Sequence, residues 1–235
     1  MKAIFLDAGL TLLRADPSLG EVYARVTRAH GREVPPGEFE RAAEGAFHAQ
    51  AAEHRDAGEE GMRTSDDLER VSWHRHARRV MDGVPSMAGM DFEGWFEDLY
   101  REFGSAAAWA PFDDTIPALE ALRGRGVRLA VVSNWDGRLR RILEDHRLRP
   151  YFDAVVISAE VGWRKPHPGI FRRALAEMGA APGDVLHVGD SVGDDVAGAR
   201  GAGIRPVLLD RRGGKTADGA AVIADLRALE EMVGA

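Results

Sequence analysis

The chain has 235 residues, with 31 Lys and Arg against 38 Asp and Glu, for a formal net charge of −7. Cysteine is absent, which excludes a disulfide scaffold and any cysteine-based metal or nucleophile site. A net acidic chain without a basic run also lacks the electrostatic footprint of a nucleic-acid binder. No apolar stretch approaches the roughly 20 residues of a membrane span. Asp7 interrupts the first apolar run too early for a signal peptide, so the expectation is a cytoplasmic protein of one large or two modest domains.

Lys2 to Leu6 predicts a buried strand that delivers Asp7 at its carboxyl end. From Arg14 to Gly104 the chain is rich in charge and alanine and keeps helical spacing. Four helices are predicted around Tyr23, Phe39, Trp73 and Trp95, broken at Pro35-Pro36, Asp56-Ala57-Gly58 and Asp82-Gly83-Val84-Pro85. On the third, Trp73 and Ala77 are expected to pack, with His74, His76, Arg78 and Arg79 on the wet face.

After Pro111 the pattern alternates. Helices are predicted over 116–122, 139–148, 169–178, 196–202 and 226–232; strands over 127–132, 154–157, 185–188, 207–209 and 221–223. Near-continuous apolar strands between helices imply a parallel sheet covered on both faces. The fold expected is therefore α/β, a doubly wound, Rossmann-like core interrupted after its first strand by an all-helical insertion. The boundaries fall at 1–14 and 111–235 for the core and 15–110 for the insertion.

In such sheets ligands bind beyond the carboxyl ends of the strands. The polar groups expected there are Asp7, Ser133 with Asn134, Lys165, and the acids Asp190, Asp194 and Asp195. Each alone has an ordinary explanation as a turn former, helix cap or solvated acid. Together, in order at successive strand ends, they suit a hard cation such as Mg²⁺ sharing its shell with a phosphate. Only three of the 31 cations are lysine (Lys2, Lys165 and Lys215), so a lysine at 165 suggests a site needing a compact charge where arginine's planar fork will not serve. His187 is expected to be a locally bonded core histidine and His167 an exposed turn residue. Trp135 and Trp163 lie beside site segments, equally suited to lining a pocket or to local packing.

Four segments carry a family resemblance: Phe5-Leu6-Asp7-Ala8-Gly9-Leu10-Thr11-Leu12, Val132-Ser133-Asn134, Gly162-Trp163-Arg164-Lys165-Pro166 and His187-Val188-Gly189-Asp190-Ser191 with Asp194-Asp195. In this order around a helical insertion, the sequence resembles the haloacid dehalogenase-like hydrolases that carry a helical cap. The resemblance implies a nucleophile at Asp7, phosphoryl-group binding by Ser133, Asn134 and Lys165, and Mg²⁺ held by Asp7, the Gly9 carbonyl and Asp190, supported by Asp194 or Asp195. It implies hydrolysis of a small phosphorylated metabolite through an aspartyl-phosphate.

One departure stands out. Phosphatases of the family read Asp-x-Asp-Gly-Thr in the first segment, and here Gly9 replaces the second Asp and Leu10 the glycine. That second carboxylate is the family's acid and base, a contribution of roughly 10²–10⁴-fold, so Gly9 implies slow turnover of ordinary alkyl phosphates. A non-catalytic phosphate- or metal-binding protein, and a metal-independent 2-haloacid dehalogenase, stay open as alternatives; the acids at 190–195 speak against the latter. A phosphonate-cleaving variant would need a cap lysine, and residues 3 to 164 contain none.

Overall fold

The computed structural model describes residues 2–233. The chain enters through β1 (Ala3–Leu6) and β2 (Leu13–Ala15), then passes through α1 (Leu19–Ala29), α2 (Pro36–Asp56), α3 (Asp66–Asp82) and α4 (Phe92–Glu102). It returns through β3 (Trp109–Pro111) and alternates as α5 (Thr115–Gly124), β4 (Arg128–Ser133), α6 (Arg138–Asp145) and β5 (Ala154–Ile157). A short α7 (Ser158–Val161), then α8 (Pro168–Met178), β6 (Val185–Gly189), α9 (Ala197–Gly201), β7 (Arg205–Leu209), β8 (Ala221–Ile223) and α10 (Leu229–Val233) complete it.

Six strands form one sheet in the order β5-β4-β1-β6-β7-β8. Every pairing is parallel, with Phe5 opposite both Ala130 and His187. The period of two along each strand explains why these runs are apolar throughout. Ile4 and Leu6 with Leu129 and Val131 face one apolar layer. Ala3 and Phe5 with Ala130 and Val132 face the other, beneath α8. This is the α/β, Rossmann-like sheet that the alternation implies, with β1 at its centre and the ends of β4 and β6 on either side of Asp7.

The helices between β2 and β3 bury an apolar cluster of their own, centred on Tyr23, Phe39, Trp95 and Phe103. Ser18, Ser65 and Asp91 cap α1, α3 and α4 by accepting from the backbone N–H of Glu21, Leu68 and Gly94. His76 departs from expectation: it is not on a wet face but 1% exposed, packed on Phe47 at 4.2 Å. The insertion contains more helix contacts than one apolar stripe serves, and α3 turns Ser72 and His76 toward α2, where Gln50 donates to the Ser72 hydroxyl.

A second departure is the antiparallel ribbon of β2 and β3, with Leu13 opposite Pro111 and Ala15 opposite Trp109. Two three-residue strands carry too little alternation to be predicted. The expected boundaries at 14/15 and 110/111 fall inside this ribbon, through which the chain leaves the sheet and comes back to it.

Candidate active site

Asp7 continues the β1–β6 ladder by one bond, its N–H donating to the Val188 carbonyl at 2.9 Å. The chain then turns sharply: the N–H groups of Leu12 and Leu13 both return to the Ala8 carbonyl, and Leu10 takes φ +56. That left-handed backbone is free for glycine and costs another residue about 1–2 kcal/mol. Leu10, 56% exposed, gains little packing in return.

Ser133 ends β4, and its hydroxyl donates to Asp7 Oδ1 at 2.8 Å. Lys165 arrives from the loop after α7 and donates from Nζ to the same Asp7 oxygen at 2.7 Å and to Asp195 Oδ1 at 2.6 Å. Asn134, expected to touch substrate, applies both ends of its amide to the Lys165 backbone: Nδ2 donates to the carbonyl at 3.1 Å and Oδ1 accepts from the N–H at 2.6 Å. These two bonds tie its amide to the backbone of the lysine.

Asp190 and Asp195 follow β6, with Asp195 inside a wide turn over Val192–Val196. The neighbouring Asp194 and Asp195 differ in orientation. Asp195 is turned inward, 1% exposed, accepting from Lys165 and from His187 Nε2 through Oδ1 and from the Ser191 N–H through Oδ2. A β-carbon at Gly189 would lie 2.1 Å from the Asp195 carboxyl carbon, so glycine is required where the strand passes that side chain. Asp194 contributes its N–H to the Ser191 hydroxyl and its carboxylate is outside the central group. His187 is the buried, locally bonded histidine expected.

Among the described residues, Asp7, Asp190 and Asp195 each bring one carboxylate oxygen within 4.8 Å of the others. Burial disfavours the charge of Lys165, but Asp195 and Asp7 outweigh it and hold its pKa above the ordinary value. Burial acts against Asp195 too, yet Lys165 and His187 keep it well below the usual carboxylate range. Burial raises Asp7 against the pull of Lys165. Asp190 is pushed up to about 7 by burial and by the charges of Asp7 and Asp195. The cluster is therefore short of positive charge, and an all-oxygen donor set short of positive charge fits a hard cation such as Mg²⁺.

Sequence reasoning missed Lys215. Its Nζ donates to the Asp190 carbonyl at 2.7 Å and lies 3.5 Å from the Asp190 carboxylate. Two of the chain's three lysines thus meet at one site, and the rarity that singled out Lys165 was the available signal. Trp163 packs against the Arg63 guanidinium and stacks on the His167 ring, centroids 3.8 Å apart. His167, expected to be an exposed turn residue, is instead mostly covered and caps α8 by accepting from the Gly169 N–H at 3.0 Å. Trp135 stands beside Gly9.

The model of the family described as haloacid dehalogenase-like hydrolase matches residues 1–203. The chain is 37% identical to the human haloacid dehalogenase-like hydrolase domain-containing protein 3 over 207 residues, 86% of this chain and 79% of the relative. It is 36% identical to a phosphoserine phosphatase of Thermus thermophilus over 155 residues, 59% of this chain and 62% of that one. Among solved structures, a HAD phosphatase from Thermococcus onnurineus aligns over 100% of this chain and 98% of its own with a TM-score of 0.62 and 27% identity. An L-2-haloacid dehalogenase from Xanthobacter autotrophicus, at 18% identity and a TM-score of 0.74, shares the fold. The chain belongs to the haloacid dehalogenase-like hydrolase family.

Proposed function

We propose that this protein is a Mg²⁺-dependent phosphatase of a small phosphorylated metabolite, with Asp7 as nucleophile. The observation that carries the proposal is the arrangement around one carboxylate: Ser133 and Lys165 both donate to Asp7 Oδ1, beside Asp190, at the carboxyl ends of adjacent parallel strands. Two relatives named as phosphatases, the phosphoserine enzyme above and a glyceraldehyde 3-phosphate phosphatase 38% identical over 43% of this chain, support the class.

Asp7 attacks phosphorus, the bond to the leaving oxygen breaks, and an aspartyl-phosphate forms. The Ser133 hydroxyl and the Lys165 ammonium turn from Asp7 to the phosphoryl oxygens, and Asp195 keeps the lysine charged. Asn134 fixes the lysine's backbone so that little movement is needed. Water then cleaves the mixed anhydride, releasing phosphate and regenerating Asp7. Asp7 and Asp190, with the Gly9 carbonyl and support from Asp195, would hold Mg²⁺, which supplies positive charge against the phosphoryl oxygens. Residues 15–110 would act as the cap that selects the substrate.

Gly9 favours one rival specifically: a phosphate- or metal-binding protein that has lost its acid. A phosphate-release panel on wild type, Asp7→Asn and Gly9→Asp, with Mg²⁺ or EDTA, separates the two. The phosphatase reading predicts release from at least one ester, abolished by Asp7→Asn and by EDTA. A wild type inactive on every ester while Gly9→Asp gains orders of magnitude would establish the rival.

A further inference from the structure

Resting on the phosphatase reading, the surroundings of Gly9 narrow the class of substrate. Position 9 has no side chain, and a β-carbon placed there would lie 3.4 Å from Trp135 Cζ3, its only neighbour within 4 Å. The group adjoining this side of the nucleophile loop is therefore an indole, with no carboxyl on the residue where the family keeps its acid.

Trp135 is held firmly. Its backbone N–H donates to the Ser158 hydroxyl at 3.1 Å, and its backbone carbonyl accepts from that hydroxyl at 3.1 Å and from the Ala159 N–H at 3.2 Å. Its ring meets Trp109 edge-on, centroids 4.8 Å apart. The residue as a whole is half-buried. The two carboxylates grouped with Asp7 are engaged elsewhere: Asp195 by Lys165, His187 and the Ser191 N–H, and Asp190 beside Lys215.

We infer that the site acts on aryl phosphates, whose leaving group departs as a stabilised anion, with the aryl ring seated against Trp135. An alkoxide leaving without a proton is about as basic as hydroxide, whereas a phenolate's conjugate acid has a pKa of only about 10. Without an acid at position 9 only the second departs readily. In the step, an Asp7 oxygen bonds to phosphorus, the P–O(aryl) bond breaks, and its electron pair leaves on the aryl oxygen, which takes a proton from solvent afterwards. Water then adds at the phosphorus of the aspartyl-phosphate, giving inorganic phosphate, the free carboxylate and a proton to solvent. This second step equally lacks a carboxylate base at position 9, so the phospho-enzyme outlives its formation.

The test is the full chain with Mg²⁺ on a series of substituted phenyl phosphates of graded leaving-group pKa, together with glycerol phosphate and phosphoserine. kcat/KM is expected to fall steeply along the series, with the alkyl esters at least 10²-fold below the best aryl ester. A burst of phenol close to one equivalent of enzyme should precede the steady state. Trp135→Ala should raise KM for the aryl esters by roughly 2–10-fold, and Trp135→Phe, which keeps an aromatic wall, should restore most of it. A level profile across leaving groups, still lost in Asp7→Asn, overturns the inference and spares the phosphatase reading. No phosphate from any ester overturns both.

Discussion

Lys165 is a compact charge buried between two carboxylates. It is 3% exposed and its single nitrogen serves two carboxylates at 2.7 and 2.6 Å. A guanidinium is planar and cannot place one atom between both acids. Lys165→Arg is therefore expected to lower kcat as severely as Lys165→Ala, by at least 10²-fold, despite keeping the charge; an arginine variant within tenfold of wild type would contradict this. The rarity of lysine made this residue conspicuous in the sequence. His76 shows the opposite case. Neither of its ring nitrogens finds a hydrogen-bond partner, and burial, helped by Arg79, pushes its pKa down to about 4. Because the folded value is below the ordinary one, no penalty applies above about pH 6.5, where the imidazole is neutral in both states. As pH falls from there to about 4, the unfolded chain takes up the proton first, and stability drops by on the order of 3 kcal/mol. His76→Leu should raise the thermal midpoint at pH 7 and flatten its decline between pH 6.5 and 4; an unchanged acid limb would refute the assignment. A histidine between arginines on a predicted helix reads as solvated, and only the packing of α2 on α3 turns it inward.

At the scale of elements, the helical insertion is tied to the lysine loop by main chain. The Thr64 N–H donates to the Gly162 carbonyl at 3.2 Å, and the Arg164 N–H donates to the Met62 carbonyl at 2.9 Å. Asp66 adds a side-chain link, accepting from the Gly137 N–H at 2.9 Å. Asp66→Ala is expected to speed hydrogen exchange at the Gly137 amide and along 62–64, while costing the global fold only about 1 kcal/mol; unchanged exchange there would show that the contact is dispensable. The long elements were legible because burial on both sides of a parallel strand, or on one face of a helix, imposes a period over many residues. β5 and β8 match their predicted limits. The β2–β3 ribbon and these bridging bonds were not legible, because backbone pairing over two or three residues places no demand on side-chain type. The Gly9 departure was visible in the sequence, but that Trp135 adjoins it depends on how β4 and the loop after β1 meet in space.

Across the molecule, two apolar layers clamp the sheet and a third core fills the helices, leaving the acids to meet at one edge. On the proposed reading, the three clustered carboxylates would let the folded state, and not the unfolded chain, hold a divalent cation. Mg²⁺ at 100 times its Kd should stabilise by about 2.7 kcal/mol, a rise in thermal midpoint of several degrees for a chain of this size. EDTA should reverse it and Asp190→Asn should abolish it; a midpoint indifferent to Mg²⁺ would remove the metal from the account.

The central claim is that Asp7 carries the phosphoryl group. Wild-type protein mixed with an aryl phosphate and Mg²⁺, quenched in acid within the burst and digested, should yield a phosphorylated peptide containing Asp7 by mass spectrometry, absent from Asp7→Asn. Phosphate released in full while that peptide stays unmodified would contradict the account.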